Sequence, residues 1–225
     1  MTSEREALRA PAMRRRWSET WLFLGEFFRS YHTTGAILPS GRWLASALAR
    51  FVPGDSAARR VLEVGPGTGA VTRRIAAALG PEDQLDLVEL NAKFVECLRQ
   101  GLASDPGLRK IADRARVLHC AVEDLPAERS YDVIVSGLPL NNFSASAVER
   151  ILGKFAGLLR RGGTLSFFEY IAIRRVRAVV SGRGERERLR GIGKAMQAVL
   201  ARHEFRRDWV WPNVPPAWVH HVRFD

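Results

Sequence analysis

The twelve residues from Val61 to Thr72, VLEVGPGTGAVT, constrain this chain more than any other stretch. An apolar run (Val61, Leu62, Val64) carries one acid, Glu63, and three glycines follow at alternate positions, Gly65, Gly67 and Gly69. A helix-compatible segment comes next. Strand, glycine turn, helix is how an open α/β sheet offers backbone N–H groups to a ligand at the carboxyl edge of its strands. A side chain at those glycines would obstruct both the tight turn and the close approach of the ligand.

The rest of the chain supplies the sheet that such a turn needs. Hydrophobic periodicity predicts strands over 60–64, 84–89, 115–120, 131–136 and 163–171, with helices over about 69–80, 92–102 and 145–160. Gly162-Gly163 reads as the sharp turn into the fifth strand. Two closing segments, Arg206–Trp211 and Trp218–Phe224, read as a hairpin at one sheet edge. The fold class that follows is α/β, a Rossmann-like, mostly parallel, doubly wound sheet of seven strands with a terminal antiparallel hairpin. Ahead of it, a loop of Gly35, Pro39, Ser40 and Gly41 leads into an amphipathic helix with Leu44, Leu48 and Phe51 inward, ending at Pro53-Gly54.

Charge sets this chain apart. The net charge is +11, and only four of the 35 basic residues are lysines. Such a surface favours polyanions, either nucleic acid or an anionic membrane. Residues 174–203 concentrate part of that charge as a basic insertion, which is either a solvated face or one turned to a polyanion. Residues Trp17 to Ser30 have helical spacing, with Trp17, Trp21, Leu24 and Phe28 on one face behind three arginines. Two readings stand for this helix: it lies in a membrane interface, or it packs its stripe on the core. No apolar run approaches the ~20 residues of a membrane span. Glu19 and Glu26 break the one stretch that imitates a signal peptide, so an intracellular location is expected. Cys97 and Cys120 make no disulfide framework and are expected to be buried apolar residues.

The glycine turn loosely fits a dinucleotide fingerprint, but two details oppose a pyrophosphate there. The carboxylate of Glu63 would repel phosphate oxygens, and Gly69 falls one residue short of the dinucleotide spacing. An acid at that point suits an ammonium group, which the amino-acid end of S-adenosylmethionine carries. Twenty residues beyond Gly69, Glu89 closes the second strand, where a carboxylate accepts hydrogen bonds from ribose hydroxyls.

With Glu63-x-Gly65-x-Gly67-x-Gly69 and an acid ending the second strand, residues 60–171 resemble the class I S-adenosylmethionine-dependent methyltransferases. The resemblance implies S-adenosyl-L-methionine as cofactor, held by Glu63, Gly65, Gly67, Gly69 and Glu89, with Ser40, Leu90, Val122, Glu123 and Ser136 completing the set. Many members place an aspartate where this chain has Ala121, so the adenine contact passes to Glu123 or to the backbone near Val122. No metal is expected.

The acceptor is sought after the fourth strand, in SGLPLNNF, residues 136–143. Enzymes that methylate base amino groups carry an Asn/Asp-x-Pro-aromatic motif there; this chain has Gly137 and Leu140 in the polar and aromatic places, although Leu138-Pro139 and Asn141 resemble the rRNA adenine dimethylases. FFRSYHTTGAILPSGRWLA, SGLPL and NVPPAWV together resemble the bacterial phospholipid N-methyltransferases, which act on phosphatidylethanolamine, and the related ornithine lipid enzymes. This second resemblance implies that residues 1–33 are an amphipathic membrane-binding helix and cofactor cover, and 34–225 the methyltransferase domain. It implies an aminolipid substrate, an anionic membrane surface as partner rather than nucleic acid, and a cytoplasmic protein held peripherally on the inner face of the membrane. The headgroup amine must lose a proton before attack; Tyr31, Tyr170 and His32 are the candidate catalytic residues, with His220 and His221 behind them as expected exposed edge-strand residues. A nucleic-acid N-methyltransferase is the competing reading.

Overall fold

In the computed structural model the residues described are 39–54, 58–126, 128–171, 183–211, 213 and 216–224, all within the compact unit Pro39–Asp225. The helix expected over 17–30, together with Tyr31 and His32, lies outside them.

Seven strands form one sheet: β1 (Arg60–Val64), β2 (Gln84–Glu89), β3 (Ala115–His119), β4 (Tyr131–Ser136), β5 (Leu159–Tyr170), β6 (Glu204–Val210) and β7 (Ala217–Arg223). Their order is β3-β2-β1-β4-β5-β7-β6. The first five are parallel; β7 runs antiparallel between β5 and β6. β6 therefore points the same way as β1, and the last strand is an interior one. Central strands covered on both faces read as continuous apolar runs, which is why Val61, Leu62, Leu85, Leu87, Ile134 and Val135 have almost no exposed surface.

Helices cover the sheet: α1 (Pro39–Leu48), α2 (Ala70–Ala78), α3 (Ala92–Ser104), the single turn α4 (Pro106–Arg109), α5 (Ala145–Leu158) and α6 (Arg183–His203). The apolar faces of α5 and α6 are buried through Val148, Ile151, Phe155, Ile192 and Met196. Side-chain caps start three of these helices: Asn91 accepts from the Lys93 N–H, Asp105 from the Gly107 N–H, and Ser144 from the Ala147 N–H.

Four expectations need correction. Pro39, Ser40 and Gly41 are the first turn of α1 rather than a loop before it, because a proline at the start of a helix needs no N–H and already holds a helical φ; α1 also ends at Leu48, not at Pro53-Gly54. Gly162-Gly163 lies inside β5: Leu159 already pairs with Tyr131, the register then shifts, and Gly162 takes φ 75° to carry the excursion. Cys97 is exposed and Cys120 half-buried. His220 and His221 are buried, because β7 sits inside the sheet and not at its edge.

Candidate active site

The strand ends divide the acids of the sheet into two populations. Towards the amino edge, Asp83 and Asp86 are buried and answered by arginine. Arg59 Nη2 donates to Asp83 at 2.8 Å, and Arg116 donates twice to Asp86 at 2.8 Å, with the Tyr131 hydroxyl also donating at 2.8 Å. Burial alone would raise both carboxyls, but the hydrogen bonds and charges of these partners hold them below the ordinary aspartate range.

At the carboxyl edge the acids are treated differently. Glu63, one residue from the end of β1, is fully buried, and neither carboxylate oxygen has a hydrogen-bond partner. Burial pushes its pKa up to about 8; the Thr72 hydroxyl in the first turn of α2 moderates the rise without closing a hydrogen bond, and Glu89 adds to it. Glu89, at the end of β2, accepts from the Gly67 N–H at 3.1 Å and from the Asn91 N–H at 2.8 Å. Burial raises it as well, against those N–H contacts. Glu123, in the 3-10 turn Val122–Asp124 that follows β3, is likewise raised by burial, and its Oε1 is buried without a partner. A protein tolerates uncompensated buried carboxyls of this kind where a ligand completes them.

The glycine turn supplies the cradle between these acids. Gly65, Gly67 and Gly69 all take positive φ, at 70°, 57° and 82°. The turn is fixed by the Gly65 N–H donating to the Val88 carbonyl at 2.9 Å and the Gly69 N–H to the Pro66 carbonyl at 2.9 Å. The segment after β4 closes over it: Gly137 N–H donates to the Val64 carbonyl at 2.8 Å, and a Cβ at Gly65 would stand 2.7 Å from Leu138 Cδ2.

S-adenosylmethionine fits what is present. Glu63 is a buried, unpartnered carboxyl that ionises against its ammonium, the glycine turn leaves room for close approach, and Glu89 and Glu123 offer acceptors for a ribose and an adenine amino group. The fold agrees. A Bacillus cereus O-methyltransferase solved in complex with SAH superimposes with a TM-score of 0.61, at 17% identity over 92% of this chain and 91% of that one. Residues 61–163 match the family described as methyltransferase domain.

The chain carries a class I S-adenosylmethionine-dependent methyltransferase domain.

Among curated relatives of this methyltransferase domain, the ornithine lipid N-methyltransferase of Singulisphaera acidiphila is 29% identical over 146 residues, 65% of this chain and 75% of that protein. The tRNA1(Val) (adenine(37)-N6)-methyltransferase of Pedobacter heparinus is 28% identical over 131 residues, 52% of this chain and 54% of that protein.

The structure brings Glu63, Gly65, Gly67, Gly69, Glu89, Leu90, Val122, Glu123 and Ser136 to one edge of the methyltransferase sheet, at or just past the ends of β1, β2, β3 and β4. The Leu90 carbonyl meets His119 Nε2 at 3.1 Å, and Ser136 is fully buried with its hydroxyl accepting from the Leu138 N–H at 3.3 Å. Tyr170 ends β5 and is buried with its ring edge-on to Phe168, centroids 5.0 Å apart. Ser40 lies in the first turn of α1; its side chain, like Tyr31 and His32, is outside the described residues. His220 and His221 sit in the body of the sheet, bonded to Glu204 at 2.7 Å and to Ser166 at 2.8 Å respectively. Among the described residues no cluster of three or more His, Cys, Asp or Glu side chains is placed to hold a metal.

Sequence reasoning missed three residues. Thr72 stands beside Glu63. Asn141, in the 3-10 turn Leu140–Asn142, is buried with its Oδ1 unpartnered. Arg188, on α6, donates to the carbonyls of Asn141 at 3.1 Å and Phe143 at 2.6 Å and so fastens the segment after β4. Asn141 was visible in the motif, but Arg188 belongs to a charge run in which it has no distinguishing neighbour in sequence.

Proposed function

We propose that this methyltransferase domain methylates the headgroup amine of an aminolipid, phosphatidylethanolamine or an ornithine lipid. The observation that carries the reading is the composition of the segment pressed onto the glycine turn. Gly137 contacts the turn with no side chain to spare, and Leu140 is buried at 1% exposure, so no polar side chain at 137 and no aromatic ring at 140 is offered to a planar base. The similarity to an ornithine lipid N-methyltransferase supports the same reading.

S-adenosylmethionine supplies, when bound, a methyl group on a sulfonium that is ready for in-line attack. The chain's own part is to position a neutral amine and exclude water. A primary amine is protonated in water, and transfer into this low-dielectric edge favours loss of that proton. The unpartnered Asn141 Oδ1 offers an acceptor for an amine N–H in the segment that receives it. Tyr170, with Tyr31 and His32 from the residues before α1, remain the proposed groups for holding the amine and taking its proton. The setting is the inner face of the cytoplasmic membrane, with arginines drawn to anionic headgroups at about 1 kcal/mol each. Residues 17–30 lie in that interface in this proposal.

The similarity to a tRNA adenine methyltransferase and the net charge of +11 favour a second reading, a nucleic-acid N-methyltransferase. Incubation with methyl-labelled S-adenosylmethionine and, separately, phosphatidylethanolamine vesicles, ornithine lipid vesicles, rRNA and tRNA distinguishes them. Label in a lipid is the expected result; label confined to RNA would overturn the proposal.

A further inference from the structure

The large apolar side chains exposed at the surface of the described residues fall on α1 and along the edge strand β6. Trp43 (49% exposed) lies on α1; Phe205 (42%) and Trp209 (58%) lie on the edge strand β6, and Trp211 (67%) follows it directly. Trp43, Trp209 and Trp211 gather at the carboxyl end of β6, and Phe205 lies at its amino end. Trp43 and Trp209 line the same groove of about 510 Å³ between α1 and β6, together with Ser46, Ala47, Arg50 and Asp208. The Trp209 ring packs against Trp211 and Trp218, both with centroids at 5.3 Å. Single exposed apolar residues are ordinary, but three exposed indoles at one corner are a patch that needs a partner.

Arginines rim this corner. Arg42 lies over the Trp43 ring at 5.2 Å and Arg207 over Trp218 at 5.6 Å. Arg50 and Arg206 are bound to Asp208, and Arg207 to Glu204. Two consequences follow for what can dock there. A second copy of this chain would bring arginine against arginine along an edge strand, which is how proteins discourage edge-to-edge pairing. A nucleic-acid backbone needs a continuous cationic track, and here Glu204 and Asp208 interrupt it. Tryptophans that keep an apolar body beside a polar tip, flanked by guanidinium groups, instead match the headgroup zone of an anionic bilayer.

The topology puts this corner where an aminolipid enzyme needs it. β6 runs parallel to β1, β4 and β5, so Trp209 and Trp211 lie at its carboxyl end, on the same sheet edge as Gly65, Ser136 and Tyr170. Val210 pairs with Ala217, which pairs with Tyr170. Four strand spacings separate β1 from β6, or ~19 Å across the sheet. A bilayer that receives Trp209 and Trp211 therefore runs alongside the opening of the glycine turn.

We propose that the tryptophan corner of α1 and β6 (Trp43, Trp209, Trp211, with Arg42 and Arg207) is a docking surface for an anionic lipid bilayer that sets the carboxyl edge of the sheet against the membrane. The inference rests on the aminolipid reading of the active site. It adds a second attachment, built into the folded domain and separate from residues 17–30.

The test uses the full chain and its W209S/W211S and W211E variants, with vesicles of phosphatidylglycerol and phosphatidylethanolamine. Cofactor affinity, measured by calorimetry, should stay within twofold, because neither residue touches the cofactor cradle, and this also reports folding. Vesicle partitioning should fall at least tenfold, as should methylation of lipid in vesicles. A W17F/W21F chain should have its remaining tryptophan emission quenched by brominated lipids. Unchanged partitioning of W209S/W211S and W211E, absence of quenching, quenching by RNA but not by vesicles, or loss of a dimer in sedimentation equilibrium would each overturn the docking surface. Failure of the aminolipid reading has a different signature: tight, tryptophan-dependent vesicle binding with no label in any aminolipid.

Discussion

Gly137 and Gly65 meet backbone to backbone: a Cβ at Gly137 would stand 2.6 Å from the Gly65 carbonyl oxygen, in the turn that takes φ 70°. The glycine turn and the segment after β4 are thus spaced by the absence of a side chain. A backbone atom does not move aside as a flexible side chain does. Gly137→Ala should therefore push the turn and the segment after β4 apart, destabilising the protein by about 1–3 kcal/mol. Cofactor affinity should fall along with thermal midpoint. Calorimetric titration and a melting curve on the same preparation check both; an alanine variant with unaltered affinity would show that the contact has slack.

Glu63 is held in a condition that only a ligand relieves. With its pKa raised by burial to about 8, the folded state prefers the protonated acid. The unfolded chain ionises near the ordinary 4.5, so the stability present at pH 4.5 is progressively lost as pH rises towards 8. Glu63→Gln removes that cost. The ligand-free variant should be more stable than the parent by on the order of 2 kcal/mol at pH 7, and the gain should vanish near pH 4.5. Binding of a cationic amino-acid end requires the ionised form, so S-adenosylmethionine affinity of the parent should climb between pH 5.5 and 7.5 and flatten near 8. The variant should bind at least a hundredfold more weakly, with no such climb. Denaturation and titration across pH check the pair of effects.

The sheet was readable because its strands are simple. β1, β2 and β4 begin and end at the expected residues, since each is a buried apolar run bounded by turn or charged residues. Glu63 and Glu89 stood out for the opposite reason, as acids in or closing such runs. What escaped reading depends on neighbours distant in sequence. The burial of His220 and His221 follows from β7 being inserted between β5 and β6, an order that no local pattern encodes. Gly162-Gly163 reads as the turn into β5, but the strand already begins at Leu159, and Arg160 within it reaches Asp132 at 2.9 Å. Arg188 is picked out by the carbonyls of Asn141 and Phe143, some 45 residues away in sequence, to which it donates.

His221 gives the fold a measurable acid limit. It is fully buried on β7, with Nδ1 at 2.8 Å from the Ser166 hydroxyl and Nε2 at 3.2 Å from Asp208. The neutral ring satisfies both neighbours, Nδ1 accepting from Ser166 and Nε2–H donating to Asp208. Burial, opposed by Asp208, lowers its pKa from 6.5 to about 4. A base depressed in the folded state contributes stability that is complete above 6.5 and is lost as pH falls towards 4, because only the unfolded chain takes up the proton. The domain should lose about 2–3 kcal/mol over that window. His221→Gln should be less stable at pH 7.5 yet flatter between 6.5 and 4, which urea midpoints at several pH values would show. A parallel pair of curves would assign the acid loss to other groups.

Arg188 tests whether the segment after β4 receives the acceptor. Its guanidinium spans from α6 to the carbonyls of Asn141 and Phe143, the two residues that flank Asn142 at the end of the 3-10 turn. Arg188 acts through those two backbone carbonyls, so it is a positioning residue. Arg188→Met keeps much of the stem but leaves those carbonyls without their donor. Small misplacements of a receiving group cost turnover steeply when catalysis rests on alignment. The variant should bind S-adenosylmethionine within about twofold of the parent, while its turnover on the aminolipid falls about tenfold or more. Arg188→Lys, which returns one donor but not the planar fork, should recover part of the loss. The signature is a drop in kcat at unchanged cofactor affinity with partial rescue by lysine. A drop in cofactor affinity of the same size would instead mean that α6 supports the whole carboxyl edge, with no particular bearing on the acceptor.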